Sequence, residues 1–112
     1  MGIQDWSDSI ILADLNDDPL FTEEVATIIE RLEQQPKSVV LDMSDVDFIN
    51  SSNIAKILRL RKMMIGTGKR LILCAVGQRV WGVLMVTGLD RILDFANDVS
   101  TGLATVQLPE QE

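Results

Sequence analysis

Apolar positions along the chain come in two arrangements. In the first they form short continuous runs: Ile10-Ile11-Leu12-Ala13-Asp14-Leu15, Val39-Val40-Leu41, Leu71-Ile72-Leu73-Cys74-Ala75-Val76 and Ile92-Leu93-Asp94-Phe95. Runs of this length, rich in Val, Ile and Leu, predict buried strands. In the second they recur every three or four residues. Phe21, Val25, Ile28, Ile29 and Leu32 predict one helical stripe, with Thr22 as its cap, Glu23 and Glu24 in its first turn and Pro36 beyond its end. A second helix is expected from near Ser52, burying Ile54, Ile57, Leu58, Met64, Ile65 and the stem of Arg61, and closed by Gly66 and Gly68. A third follows Gly77, places Val80, Trp81, Leu84 and Met85 on one core-facing side, and stops at Gly88. Residues 98–106 suit a terminal helix weakened by Gly102, and Pro109-Glu110-Gln111-Glu112 a frayed tail. Trp6 is expected in an exposed N-terminal segment packed back on the sheet. Strands alternating with helices imply βαβ crossovers, hence an α/β fold with a mostly parallel sheet.

Composition narrows the function. The chain has 112 residues, 46% of them apolar, which predicts a single domain over residues 1–112 with one core. A net charge of −7 argues against nonspecific binding to nucleic acid or to an anionic membrane surface. With no histidine and one cysteine, Cys74, the chain forms no internal disulfide and lacks the commonest general base. A zinc site would have to be built from carboxylates alone, against the metal's preference for nitrogen and sulfur. No metal or cofactor is expected. The acidic N-terminus does not read as a signal peptide, and no apolar run reaches the length of a membrane span, so a cytoplasmic protein is expected.

The most informative segment is Asp42-Met43-Ser44-Asp45-Val46-Asp47-Phe48-Ile49-Asn50-Ser51-Ser52-Asn53-Ile54. A strand leads into it and a helix leads out, so two serine hydroxyls stand at a helix N-terminus, where unpaired N–H groups favour an oxygen or an anion. A serine there can cap the helix or carry a phosphate, and Ser52 is the expected cap. Asp42, Asp45 and Asp47 read as a solvated acidic loop, since a hard cation needs several oxygens converging on one point. A receiver-type phosphoaspartate site at Asp42 would need a lysine after a later strand, and no lysine follows Lys69. Gly66-Thr67-Gly68-Lys69 follows a helix and precedes a strand, the reverse of a phosphate-binding loop. Cys74 reads as a small core hydrophobe. Lys56, Arg59 and Lys62, with Arg61 close by, give the helix after Ser52 a basic side suited to an acidic patch on a partner.

These residues carry a resemblance. DMSDVDFINSSNI, residues 42–54, is similar to the central pattern of STAS domains of the anti-sigma factor antagonist type, Asp-apolar-Ser-x-Val-x-aromatic-apolar-Asp-Ser-Ser/Thr-Gly-Leu. LILCAV at 71–76 and Thr87-Gly88-Leu89-Asp90 leading into Ile92-Leu93-Asp94-Phe95 extend it over nearly the whole chain. Asn50 stands where the family has aspartate and Asn53 where it has glycine, as in a divergent Asn-Ser-Ser-Asn group. The resemblance implies a STAS-like fold, a small, mostly parallel mixed sheet of four to five strands covered by about four helices. It implies no enzyme but a substrate and switch. Ser51 would be the phosphoacceptor, Asn50, Ser52 and Asn53 would shape the loop, and Lys56 and Arg59 would lie on the docking face. The implied partners are an ATP-binding anti-sigma factor that is also a serine kinase, and a phosphatase, with the protein itself a monomer or weak dimer. The alternative is a STAS scaffold without phosphorylation, acting by self-association or in a larger assembly. A small-ligand or nucleotide sensor is a third reading.

Overall fold

The computed structural model describes residues 2–108; the expected tail at Pro109–Glu112 lies outside them. Five strands form one mixed sheet: β1 (Ile3–Ser7), β2 (Ile10–Asn16), β3 (Ser38–Asp45), β4 (Leu71–Cys74) and β5 (Asp94–Ala96), lying side by side in chain order. β1 runs antiparallel to β2, with Ile3 opposite Ala13, while β2 to β5 are parallel, with Val40 beside both Leu12 and Ile72. Four helices connect or follow the strands: α1 (Leu20–Gln34), α2 (Ser51–Thr67), α3 (Gln78–Val86) and α4 (Val99–Gln107). Among the described residues no helix is long and apolar enough to cross a membrane.

The period-two alternation of strand side chains divides the core in two. Ile11, Ala13, Leu15, Val39, Leu41, Met43, Leu71 and Leu73 face α1, α2 and α3, which bury Phe21, Ile28, Ile57, Leu60 and Leu84 against them. Ile10, Val40, Ile72 and Cys74 face the other way, and α4 lays Val99, Leu103 and Val106 over them. Both faces of β3 and β4 are therefore covered, which is why these strands are continuous apolar runs.

Several sequence expectations need correction. The N-terminal segment that carries Trp6 is itself a strand, β1; three of its five residues are exposed, as suits an edge, and the Ser7 to Ser9 turn folds it back on β2. Thr22 does not cap α1. The helix begins at Leu20, and the Thr22 N–H and hydroxyl both donate to Asp18 Oδ1, at 3.0 and 2.7 Å. On α2 the fully buried apolar residues are Ile57, Leu60 and Met64; Ile54, Leu58 and Arg61 are half-buried, and Ile65 is exposed. Met85 is also exposed, whereas Trp81 packs edge-on against Phe95 with ring centroids 4.8 Å apart. β4 stops at Cys74 because Ala75 turns out with φ +55°, and β5 starts two residues later than expected because Leu89–Arg91 form a 3-10 turn. Gly102 is a packing requirement more than a weak point: a Cβ there would overlap Cys74 Sγ and press on Val40.

Candidate functional site

The loop from β3 to α2 is anchored from below and from the side. Val46 and Ile49 are buried, and they pin the loop on the core while Phe48 between them stands half out of it, 51% exposed. The side anchor comes from the loop joining β2 to α1. Asp17 Oδ1 accepts from the Asp47 and Phe48 backbone N–H groups, at 2.9 and 3.3 Å. These two otherwise unpaired donors fix the path of the chain toward Ser51.

Asn50, not Ser52, is the N-cap of α2. Its Oδ1 accepts from the Asn53 N–H at 2.8 Å, and Asn53 Oδ1 accepts from the Asn50 N–H at 3.1 Å. This reciprocal arrangement satisfies two of the donors that a helix start leaves open. The Asn53 side chain is buried, with only 1% of the residue exposed. Its Nδ2 donates to Asp18 Oδ2 at 2.8 Å, and Asn50 Nδ2 approaches the same oxygen at 3.4 Å. Asp18 thus receives the Asn53 amide, the Thr22 hydroxyl and N–H, and the Asn50 amide. Together they hold its carboxyl down at about 2, against the usual 3.8.

Ser51 and Ser52 follow as the first two residues of α2, both exposed. The Ser52 hydroxyl accepts from Lys56 Nζ at 2.8 Å, one turn on. This is why it does not cap: it sits past the cap position and points along the helix. The Ser51 hydroxyl makes no hydrogen bond with the described residues. Arg59 and Lys62 are exposed and Lys56 is half-buried, so the basic side of α2 extends from the serines along the helix.

The acidic residues do not form one site. Among the described residues no group of three carboxylate or cysteine side chains is placed to hold a metal ion. Asp42 turns to the α4 face beside Asp14 of β2, its neighbour in the parallel register. The hydrogen bond to Asp42, then burial and charge repulsion, raise Asp14; burial opposes ionisation of Asp42, but the Ser44 N–H and Asp14 hold it low. Burial, followed by the charges of Asp42 and Asp98, pushes the Cys74 thiol up to about 11, so it is unreactive near neutral pH.

Asp17, Asp18 and Phe48 are site residues that sequence reasoning passed over. The spacing Asn50-x-x-Asn53 is a legible capping-box signal. Nothing local marks Asp18, whose partner at Asn53 lies 35 positions away.

Comparison with known proteins bears on the fold and the family. The STAS domain family model matches residues 16–102. A Thermotoga neapolitana protein, described as a candidate anti-sigma factor antagonist, is 32% identical over 78 residues, which cover 70% of this chain and 69% of that one. A crystal structure of a candidate anti-sigma factor antagonist from Thermotoga maritima has a TM-score of 0.81 at 21% identity, covering 91% of each chain. A serine-to-glutamate variant of Moorella thermoacetica RsbS reaches 0.74 at 18% identity over 96% of each chain. These two structures share the five-stranded sheet and its helices. The family match spans the sheet from the end of β2 to α4 and contains the whole strand-to-helix loop: the chain belongs to the STAS domain family.

Proposed function

We propose that the protein is an anti-sigma factor antagonist, a binding switch rather than an enzyme, with Ser51 as its phosphoacceptor. The observation that carries the reading is the state of the two hydroxyls. Ser51 presents a free, exposed hydroxyl at the first position of α2, while that of Ser52 is engaged by Lys56. Its docking face consists of the exposed Phe48, the serines, and Lys56 and Arg59 along the helix; Asn50 and Asn53 hold this face in shape. The partner is an ATP-binding anti-sigma factor that is also a serine kinase, with a phosphatase to reverse the mark, as the resemblance implies.

The chemistry of the switch is local. Phosphorylation adds about −1.5 to −2 charge at neutral pH. Asn53 N–H is already bonded to the Asn50 side chain, but the Ser51 and Ser52 N–H groups have no partner among the described residues. They and the helix dipole accommodate the phosphate, so the fold is retained. On the outside the phosphate adds its charge to a loop already held by the carboxylates of Asp17 and Asp18. Bound to a surface complementary to the free hydroxyl, it is an unmatched charge, and about 3 kcal/mol of lost binding is already more than a hundredfold in affinity.

A non-phosphorylated scaffold is the second reading, favoured by one observation. Asn50, where the family pattern has a carboxylate, has its amide engaged within the loop. Capture from lysate of the source organism with wild-type and Ser51→Asp baits separates the two. An ATP-binding kinase held by wild type and lost with Ser51→Asp supports the switch. Identical partners for both baits, with no such kinase and no phosphate on Ser51 by mass spectrometry, sink it in favour of the scaffold.

A further inference from the structure

A cleft of about 260 Å³ opens between the C-terminal half of α2, the start of β4 and the turn entering β5. It lies toward the opposite end of α2 from Ser51; the 17-residue helix is about 25 Å long. Arg61, Lys69 and Arg70 line it, together with one carboxylate, Asp94. Ile65 and Ile92, which are 61% and 44% exposed, form its apolar wall. In a chain of net charge −7 this cleft is locally positive.

The cations are held but not neutralised. Arg61 Nε donates to the Ile92 carbonyl at 3.2 Å, and Arg70 Nη1 to the Thr105 carbonyl at 2.8 Å. The Arg61 guanidinium is therefore oriented by backbone and keeps further N–H groups to offer, whereas the Arg70 head is engaged at the C-terminal end of α4, which covers the other face of the sheet. Among the described residues the ion pairs are Arg31–Asp5 and Lys37–Asp5, so none of the three cleft cations has a carboxylate at pairing distance. A cation just beyond a helix C-terminus is favoured by the dipole whatever its function, which accounts for Lys69. It does not account for Arg61, within the helix, or for two exposed isoleucines facing the same cleft.

We infer that this cleft binds a small organic anion: a single phosphate, sulfonate or carboxylate head held by Arg61 and Lys69, with an apolar body laid on Ile65 and Ile92. The bound form needs little ordering of Arg61, because the Ile92 carbonyl already places it, and that reduces the cost of binding. The volume lies just below the range of about 300–1,000 Å³ common for ligand pockets, which selects a small molecule over a dinucleotide or a lipid. The site stands apart from Ser51 and does not rest on the antagonist reading.

The test is a titration of the isotope-labelled full chain with 1-naphthyl phosphate, with inorganic phosphate and hexanoate in parallel, followed by amide chemical shifts. Saturable shifts confined to residues 61–71 and 92–94 are expected with naphthyl phosphate, with inorganic phosphate at least about tenfold weaker. Hexanoate shifting the same amides shows a site that takes carboxylate heads as well; hexanoate without effect narrows it to heads of higher charge. Lys69→Glu, at an exposed position, keeps the dispersed spectrum of the fold and weakens naphthyl phosphate at least about tenfold. Shifts that are absent at millimolar ligand, that fall elsewhere, or that are unchanged in Lys69→Glu overturn the inference. Equal affinity for inorganic phosphate removes the role given to the apolar wall and overturns it as well.

Discussion

Replacing Asn53 by glycine, the residue of the STAS pattern, removes a buried side chain that links three segments. Asn53 Oδ1 is the partner of the Asn50 N–H, which is left unpaired in a part-buried position. An unmet donor of that kind costs about 1–2 kcal/mol. Glycine in place of asparagine within a helix adds about 0.3 kcal/mol of backbone entropy. The sum is about 2 kcal/mol, and the bond to Asp18, whose carboxylate is open to water, adds little to it. For a domain of this size that lowers the thermal midpoint by about 8 °C. Urea unfolding followed by tryptophan fluorescence reads the change directly, with Trp81 in contact with Phe95 as the core reporter. A second arm tests the link to Asp18. Asn53→Asp alone sets one carboxylate against another, while Asn53→Asp with Asp18→Asn exchanges donor and acceptor across the same contact and recovers most of the loss at neutral pH. An Asn53→Gly protein within about 0.5 kcal/mol of wild type, the scatter of ordinary surface changes, would refute the reasoning. So would an exchange variant no more stable than Asn53→Asp.

Three further outcomes are expected. Gly102→Ala gains about 1 kcal/mol of helix propensity but forces a methyl onto Cys74 Sγ and Val40, an overpacking cost of about 1–3 kcal/mol, so the variant is less stable than wild type. Adding Cys74→Ala relieves the clash, and a double-mutant cycle in urea shows the coupling; additivity would count against the contact. Because the Asp18 carboxyl is lowered to about 2 in the fold, its contribution to stability is complete above the usual 3.8 and disappears as pH falls through about 2. The gap in thermal midpoint between wild type and Asp18→Asn therefore narrows between those pH values, and a constant gap would contradict the assignment. Phe48→Ala leaves urea stability within about 0.5 kcal/mol, since half the ring is already in solvent, yet reduces capture of the wild-type partner; unchanged capture would remove Phe48 from the docking face.

Where structure depends on one segment at a time, the sequence was legible. Every residue of the α1 stripe, Phe21, Val25, Ile28, Ile29 and Leu32, is buried, and the apolar runs became β2, β3 and β4 because strands covered on both faces need no polar side. The family pattern identified the loop and placed Ser51 at the helix start. What was not legible depends on distant partners. β1 carries too few apolar residues to stand out, and its place is set by pairing with β2 and by Lys37 holding Asp5 at 3.2 Å. Ser52 and Asn50 compete for the cap in the sequence, and the contest is decided by Asn53, at capping-box spacing from Asn50, together with Asp18, which is distant in the chain. Helical spacing placed Ile65 and Met85 among core residues, but no neighbouring element reaches those turns to cover them.

The reciprocal box between Asn50 and Asn53 bears on how such a loop can change by descent. Each side chain accepts from the other residue's backbone N–H, so the two bonds are lost separately: aspartate at 50 keeps an oxygen for the Asn53 N–H, whereas glycine at 53 leaves the Asn50 N–H unmet. What ties the two positions together is Asp18: aspartate at 50 sets a second carboxylate beside it, and glycine at 53 removes the amide it accepts, so a loop with aspartate and glycine suits a different residue at 18. In an alignment of relatives the acidic residue ahead of α1 would then vary together with positions 50 and 53.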